Sequence, residues 1–102
     1  MTANNEQLEL CARLIDITNE ITGLLNQAGE EISRYKSLGK IKNTAKHRDP
    51  NGIPKIAGYL EGLKTVMSDN RAFTPTIGRK IDEAHSIAAQ LEWLSVHGSD
   101  SI

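Results

Sequence analysis

The sequence predicts an all-α fold: a three-helix bundle with a long, heptad-patterned first helix through which two copies pair. Three observations carry this expectation. Apolar residues recur at alternating spacings of four and three in three separate segments, the signature of helices with one buried face. No segment sustains a period of two. Turn-forming pairs, Asp49-Pro50-Asn51-Gly52 and Thr74-Pro75, separate the segments. The chain has 102 residues, the usual size of one domain, so residues 1–102 are read as a single helical domain.

The first segment carries the strongest signal. Leu10, Leu14, Ile17, Ile21, Leu24, Ala28, Tyr35 and Leu38 form one apolar row, with Glu31 its one polar interruption. Cys11, Ile15, Thr18, Leu25 and Ile32 form a second row beside it, so the stripe is wide enough for two neighbours. The expected helix runs from about residue 5 to residue 38, with Asn4 and Gln7 as a capping pair and Gly39 as the C-terminal glycine. Gly23 and Gly29 are the positions at which it would bend or break.

Residues 40–53 read as a basic loop closed by the Asp49–Gly52 turn. Pro54 suits the first turn of a helix, and Ile56, Leu60, Leu63 and Met67 extend it over 54–68. Gly58 and Gly62 leave a flat strip on it where another helix can approach closely. Residues 69–73 form a short connection, with Phe73 at one end of the core. Thr74 then caps a third helix over 75–97, built on Ile77, Ile81, Ala84, Ala88 and Leu91. Residues 98–102 read as a frayed tail. A first helix longer than its partners leaves apolar surface uncovered, and pairing two copies of it is the expected remedy.

Composition excludes several classes. The longest apolar runs are three residues, whereas a membrane span needs roughly 20. The N-terminus lacks a basic start and an apolar stretch, and the single cysteine, Cys11, has no partner for an intramolecular disulfide. A cytoplasmic location is the expectation.

Charge is the most informative functional signal. Residues 1–33 hold six acids and one base, whereas residues 34–55 hold seven bases (Arg34, Lys36, Lys40, Lys42, Lys46, Arg48 and Lys55) against Asp49 alone. Such a cluster suits an acidic protein or a phosphate backbone. No stacking aromatic is interleaved beyond Tyr35, and no glycine-rich phosphate loop accompanies it. The candidate partner-binding residues are therefore Lys36, Lys40, Lys42, Lys46 and Arg48, joined by Tyr59 and by Trp93, an aromatic of the type enriched at interface hot spots.

No constellation for chemistry emerges. Asp82-Glu83-Ala84-His85 and His47-Arg48-Asp49 spell known catalytic boxes by letters only, without the sheet and phosphate loop those boxes need. Asp82 and His85 supply two ligands where a metal site needs more. Cys11 falls on an apolar face, where a thiol is inert. The expectation is no catalytic residues, no cofactor and no metal.

The stretch from Arg13 to Gln27, with Lys36 after it, resembles the first helix of the helical chorismate mutases, which are intertwined dimers binding a dicarboxylate through several cations. Aligning the paired leucines sets Ala28 and Cys11 where that family uses arginines, so the resemblance implies the helical topology and not the activity. The expected function is a non-enzymatic protein–protein interaction module, homodimeric, acting as a small adaptor, chaperone or inhibitor (phage-encoded inhibitors of host machinery included). The alternative is a nucleic-acid-binding regulator using the basic 34–55 segment.

Overall fold

The computed structural model describes residues 2–68 and 73–97. It contains four helices: α1 (Thr2–Gln27), α2 (Lys36–His47), α3 (Ile56–Ser68) and α4 (Pro75–His97). Single 3-10 turns at Ile32–Arg34 and Ile53–Lys55 precede α2 and α3, and no strand occurs among the described residues. The all-α expectation holds, with four helices rather than three.

The long first helix does not persist to residue 38. It stops at Gln27 because Gly29 adopts φ +80, a left-handed conformation that any residue with a Cβ resists. The Glu30 N–H then bonds the Leu25 carbonyl at 3.0 Å and the Gly29 N–H bonds the Asn26 carbonyl at 3.0 Å. This pair of bonds satisfies the last carbonyls of α1 and ends the helix. Gly29 thus plays the part expected of Gly39, which lies instead on the exposed side of α2. Asn4 falls inside α1 rather than ahead of it.

After the break the chain turns back. Tyr35 is buried, and its hydroxyl donates to the Glu30 carboxylate at 2.5 Å. Residues 36–47, expected as the end of helix one and the start of a basic loop, are helical instead. Leu38, Ile41, Thr44 and Ala45 lie buried along one face of this helix, and that burial stabilises a segment whose charge masks its period. Arg48 ends α2 in the left-handed region, φ 49 and ψ 42.

The remaining elements follow the sequence reading closely. The Asp49 carbonyl accepts from Gly52 N at 3.0 Å and from Ile53 N at 2.9 Å. A Cβ at Gly52 would lie 2.8 Å from Thr44 Cγ2, so the turn needs glycine for close approach. The Ile53–Lys55 turn, with proline in its first residues, leads directly into α3. Thr74 Oγ1 accepts from Ile77 N at 3.3 Å at the start of α4, as an N-cap does. The Phe73 ring rests 3.1 Å from the Cβ position of Gly78. Residues 69–72 of the expected connection, and the expected frayed tail at 98–102, lie outside the described residues.

The helices pack in a closed circuit, α1 against α2 and α4, and α3 against both α2 and α4. Arg13 pairs with Glu83 and Glu20 with Lys80, so residue numbers fall along α4 as they rise along α1, and the two run antiparallel. Lys40 lies over Tyr59, and the Cβ position of Gly62 is 3.6 Å from Ser37 Oγ. α2 and α3 are therefore antiparallel as well, with Gly62 of the expected flat strip meeting α2. The core is aliphatic: Leu14, Ile17, Ile21, Leu25, Ile41, Ile56, Leu60, Leu63 and Leu91 are at most 1% exposed. The one strongly buried polar side chain of α1, Thr18, donates to the Ile15 carbonyl at 2.8 Å.

Helix lengths are unequal, and this shapes the surface. α2 and α3 have 12 and 13 residues, α1 and α4 have 26 and 23, and the body measures 47 × 22 × 19 Å. The buried positions of α1 run from Cys11 to Leu25 and those of α4 from Ile77 to Leu91. The first turns of α1 and the last turns of α4 overhang the short pair, leaving Leu8 44% and Trp93 60% exposed. Of the heptad stripe expected to join two copies, Leu14, Ile17, Ile21, Tyr35 and Leu38 are buried within one chain, whereas Leu10 and Leu24 are half-buried and Ala28 is exposed.

Gly23 and Gly29 should respond oppositely to alanine. Gly23 is helical with nothing within 4 Å of its Cβ position, so Gly23→Ala stabilises by about 0.5–1 kcal/mol. Gly29→Ala meets a positive φ and destabilises by about 1 kcal/mol or more. Urea midpoints for the two variants, one above and one below the parent, check this.

Candidate functional site

Of the residues singled out for chemistry, Cys11 lies on α1 and Asp82, Glu83 and His85 lie on α4. Cys11 is buried at the α1–α2 contact, and burial pushes its thiol above the ordinary value, with the Arg48 charge opposing. Glu83 accepts from Arg13 Nε at 2.8 Å, so it serves the α1–α4 contact. His85 Nε2 lies 3.2 Å from Glu61 Oε1, bridging α4 and α3 by proximity rather than by a well-directed hydrogen bond. No three His, Cys, Asp or Glu residues gather as a metal site among the described residues.

The basic residues, by contrast, are brought together. α2 turns its apolar residues inward, and at about 100° per residue this aims Lys36, Lys40, Lys42, Lys46 and His47 outward over an arc of roughly 160°. All five are exposed, as is Arg48 at the end of the helix. Lys36 and Lys40 stand one turn apart, as do Lys42 and Lys46, so the four ammonium groups follow about 15 Å of helix. Among the described residues no ion pair engages Lys36, Lys40, Lys42, Lys46 or Arg48. Lys40 Nζ sits 5.6 Å from the Tyr59 ring centroid, a cation–π distance. Lys46, His47 and Arg48 also offset the negative end of the helix dipole.

The other two candidates part company with this face or lie beneath it. Tyr59 is half-buried against the core, with Lys40 over its ring. Trp93 lies on the overhang of α4, on a helix that packs against α1 and α3. There it walls a shallow depression of about 140 Å³ with Glu6, Leu10, Gln90 and Leu94. A second open depression continues along the seam past Glu9 and Arg13.

Sequence reasoning missed Glu6, Glu9, Leu10 and Gln90 as one surface. Its only signal was the acidic excess of the first 33 residues, and the antiparallel pairing of α1 with α4 is what joins them. The electrostatics along that seam are local. Glu20 is held below the usual carboxylate range by its hydrogen bond from Lys80 Nζ at 2.8 Å. Arg13 is raised further above its already high value by Glu83. The Glu20–Lys80 contribution is present above the ordinary carboxylate range and is lost as pH falls. No helix among the described residues is long and apolar enough to cross a membrane.

The Cys11 thiol should behave as a buried group. Because folding raises its pKa, stability from the neutral thiol is complete at neutral pH and is lost as pH rises past the ordinary thiol range. Iodoacetamide should label Cys11 far more slowly in the native protein than in urea, and Cys11→Val should remove the alkaline loss of stability. Equal native and denatured labelling rates would count against this. Compared with protein-family models, with curated proteins and with solved structures, the chain gives no match in any of the three.

Proposed function

We propose that this chain is a non-enzymatic helical interaction module, an adaptor, chaperone or inhibitor, that binds an acidic protein through the outer face of α2. The observation that carries the reading is the set of Lys36, Lys40, Lys42 and Lys46, with Arg48 after them, exposed over the outward arc of α2 with no acid paired to any of them among the described residues. A rigid single-sign surface accelerates encounter with an oppositely charged partner and fixes its orientation. Leu38, Ile41 and Ala45 anchor the helix in the core, so the lysines are presented without ordering a loop. A reducing cytoplasm suits the lone buried thiol of Cys11.

The same row supports a second reading, a phosphate backbone as the ligand. Lysines along about 15 Å of helix can follow successive phosphates, and such binding weakens steeply with salt. The absence of an exposed aromatic on this face favours protein over single-stranded nucleic acid, where base stacking contributes strongly. Trp93 on α4 provides a second contact surface, of the kind used for hot-spot anchoring.

The triple variant Lys40→Glu, Lys42→Glu, Lys46→Glu tests the face as a whole. Its helicity by circular dichroism should match the parent, since all three side chains are exposed. Retention of the parent on an immobilised acidic peptide at low salt, at least tenfold above that of the variant, supports the protein reading. Preferential retention of duplex DNA or RNA by the parent supports the second, and equal behaviour of parent and variant on all three ligands overturns both. Trp93→Ala should weaken capture of a protein partner while leaving helicity intact, and full capture by that variant would remove the overhang from the contact surface.

A further inference from the structure

We propose that the depression at the α1–α4 overhang receives the α2 face of a second copy of this chain, so that copies associate head to tail. The proposal does not depend on an external acidic partner. The two surfaces are complementary in charge. Glu6 and Glu9 stand one turn apart on α1 beside the depression, and neither carries an ion pair among the described residues. Lys36 and Lys40, and again Lys42 and Lys46, stand one turn apart on α2. Arg13, the one cation at the depression, is neutralised by Glu83.

The shapes are complementary too. Trp93, 60% exposed, forms a raised wall over Leu10 and Leu94. The outward arc of α2 has Gly39 near its centre, flanked by Lys36, Lys42, Asn43 and Lys46, and nothing lies within 4 Å of its Cβ position. That missing side chain leaves a notch in which an indole can lie flat between lysine stems, gaining both apolar and cation–π contact. The circuit of helices places α2 against α1 and α3, across the bundle from the α1–α4 seam. One chain cannot close the contact on itself, and each copy has one donor face and one acceptor groove, which makes the contact heterologous.

Light scattering on a sizing column, over a range of concentrations at low and high salt, reads the association directly. The parent should exceed its 11.2 kDa monomer mass as concentration rises at low salt, and return to it in 1 M salt, where the Debye length is ~3 Å. The groove variant Glu6→Lys, Glu9→Lys and the face variant Lys40→Glu, Lys42→Glu should each associate at least tenfold more weakly. Mixed in equal amounts, the two should recover association, because each supplies the charge pattern that the other has reversed. Gly39→Leu, which fills the notch without changing charge, should weaken association by a similar factor while helicity is retained. A parent that stays monomeric at low salt overturns the proposal, as does association that survives both reversals, or a mixture that remains monomeric. Association that responds to the face variant alone overturns the groove as its acceptor.

Discussion

The positive φ of Gly29, and the reversal it permits, is the constraint on which the architecture depends. A 26-residue helix ends there, its last carbonyls taken up by the N–H groups of Gly29 and Glu30. The chain then needs a fixed point to start back, which Tyr35 provides by burying its ring and donating its hydroxyl to Glu30. With the reversal in place, α2 covers the Cys11–Leu25 stripe of α1, and the circuit of four helices can close within one chain. Without it the same apolar row would continue outward as a single rod needing a second molecule.

What holds the circuit together is aliphatic burial rather than polar contact. Each fully buried leucine or isoleucine contributes on the order of 1.5–3 kcal/mol, and the core is built almost entirely from such residues. The ion pairs between α1 and α4 lie at the surface, where solvent screens them. Their value is in register: Arg13 with Glu83 and Glu20 with Lys80 favour one antiparallel alignment over others displaced along the helix. His85 beside Glu61 marks the matching level between α3 and α4.

Unequal helix lengths turn this bundle into a polarised object. Of the short helices, α2 presents lysines and carries no acid, while the ends of the long helices project with carboxylates, an indole and two leucines. Each surface is charged in one sign because its residues come from a short stretch of chain: residues 36–48 for the basic face, and the first turns of α1 for the acidic one. Among the described residues Lys36, Lys42, Lys46 and Arg48 carry no ion pair.

By itself the sequence determined the helical class, the presence of α3 and the start of α4, the Asp49–Gly52 turn and the basic cluster. These rest on short-range chemistry: proline and threonine at helix starts, a turn closed within four residues, apolar spacing within one helix, and net charge along the chain. Only the tertiary structure decided where the first helix ends. Tyr35 and Leu38 fall in phase with the row that begins at Leu10, so periodicity alone runs through the break, and only burial on a returning helix separates the two segments. It also decided that 40–47 is helix, since Ile41 and Ala45 gain their stability from α1 and α3 rather than from local propensity. The overhang that brings Glu6 and Leu10 beside Gln90 and Trp93 was invisible in the sequence for the same reason: residues 80 or more positions apart become neighbours only through the antiparallel packing of α1 on α4.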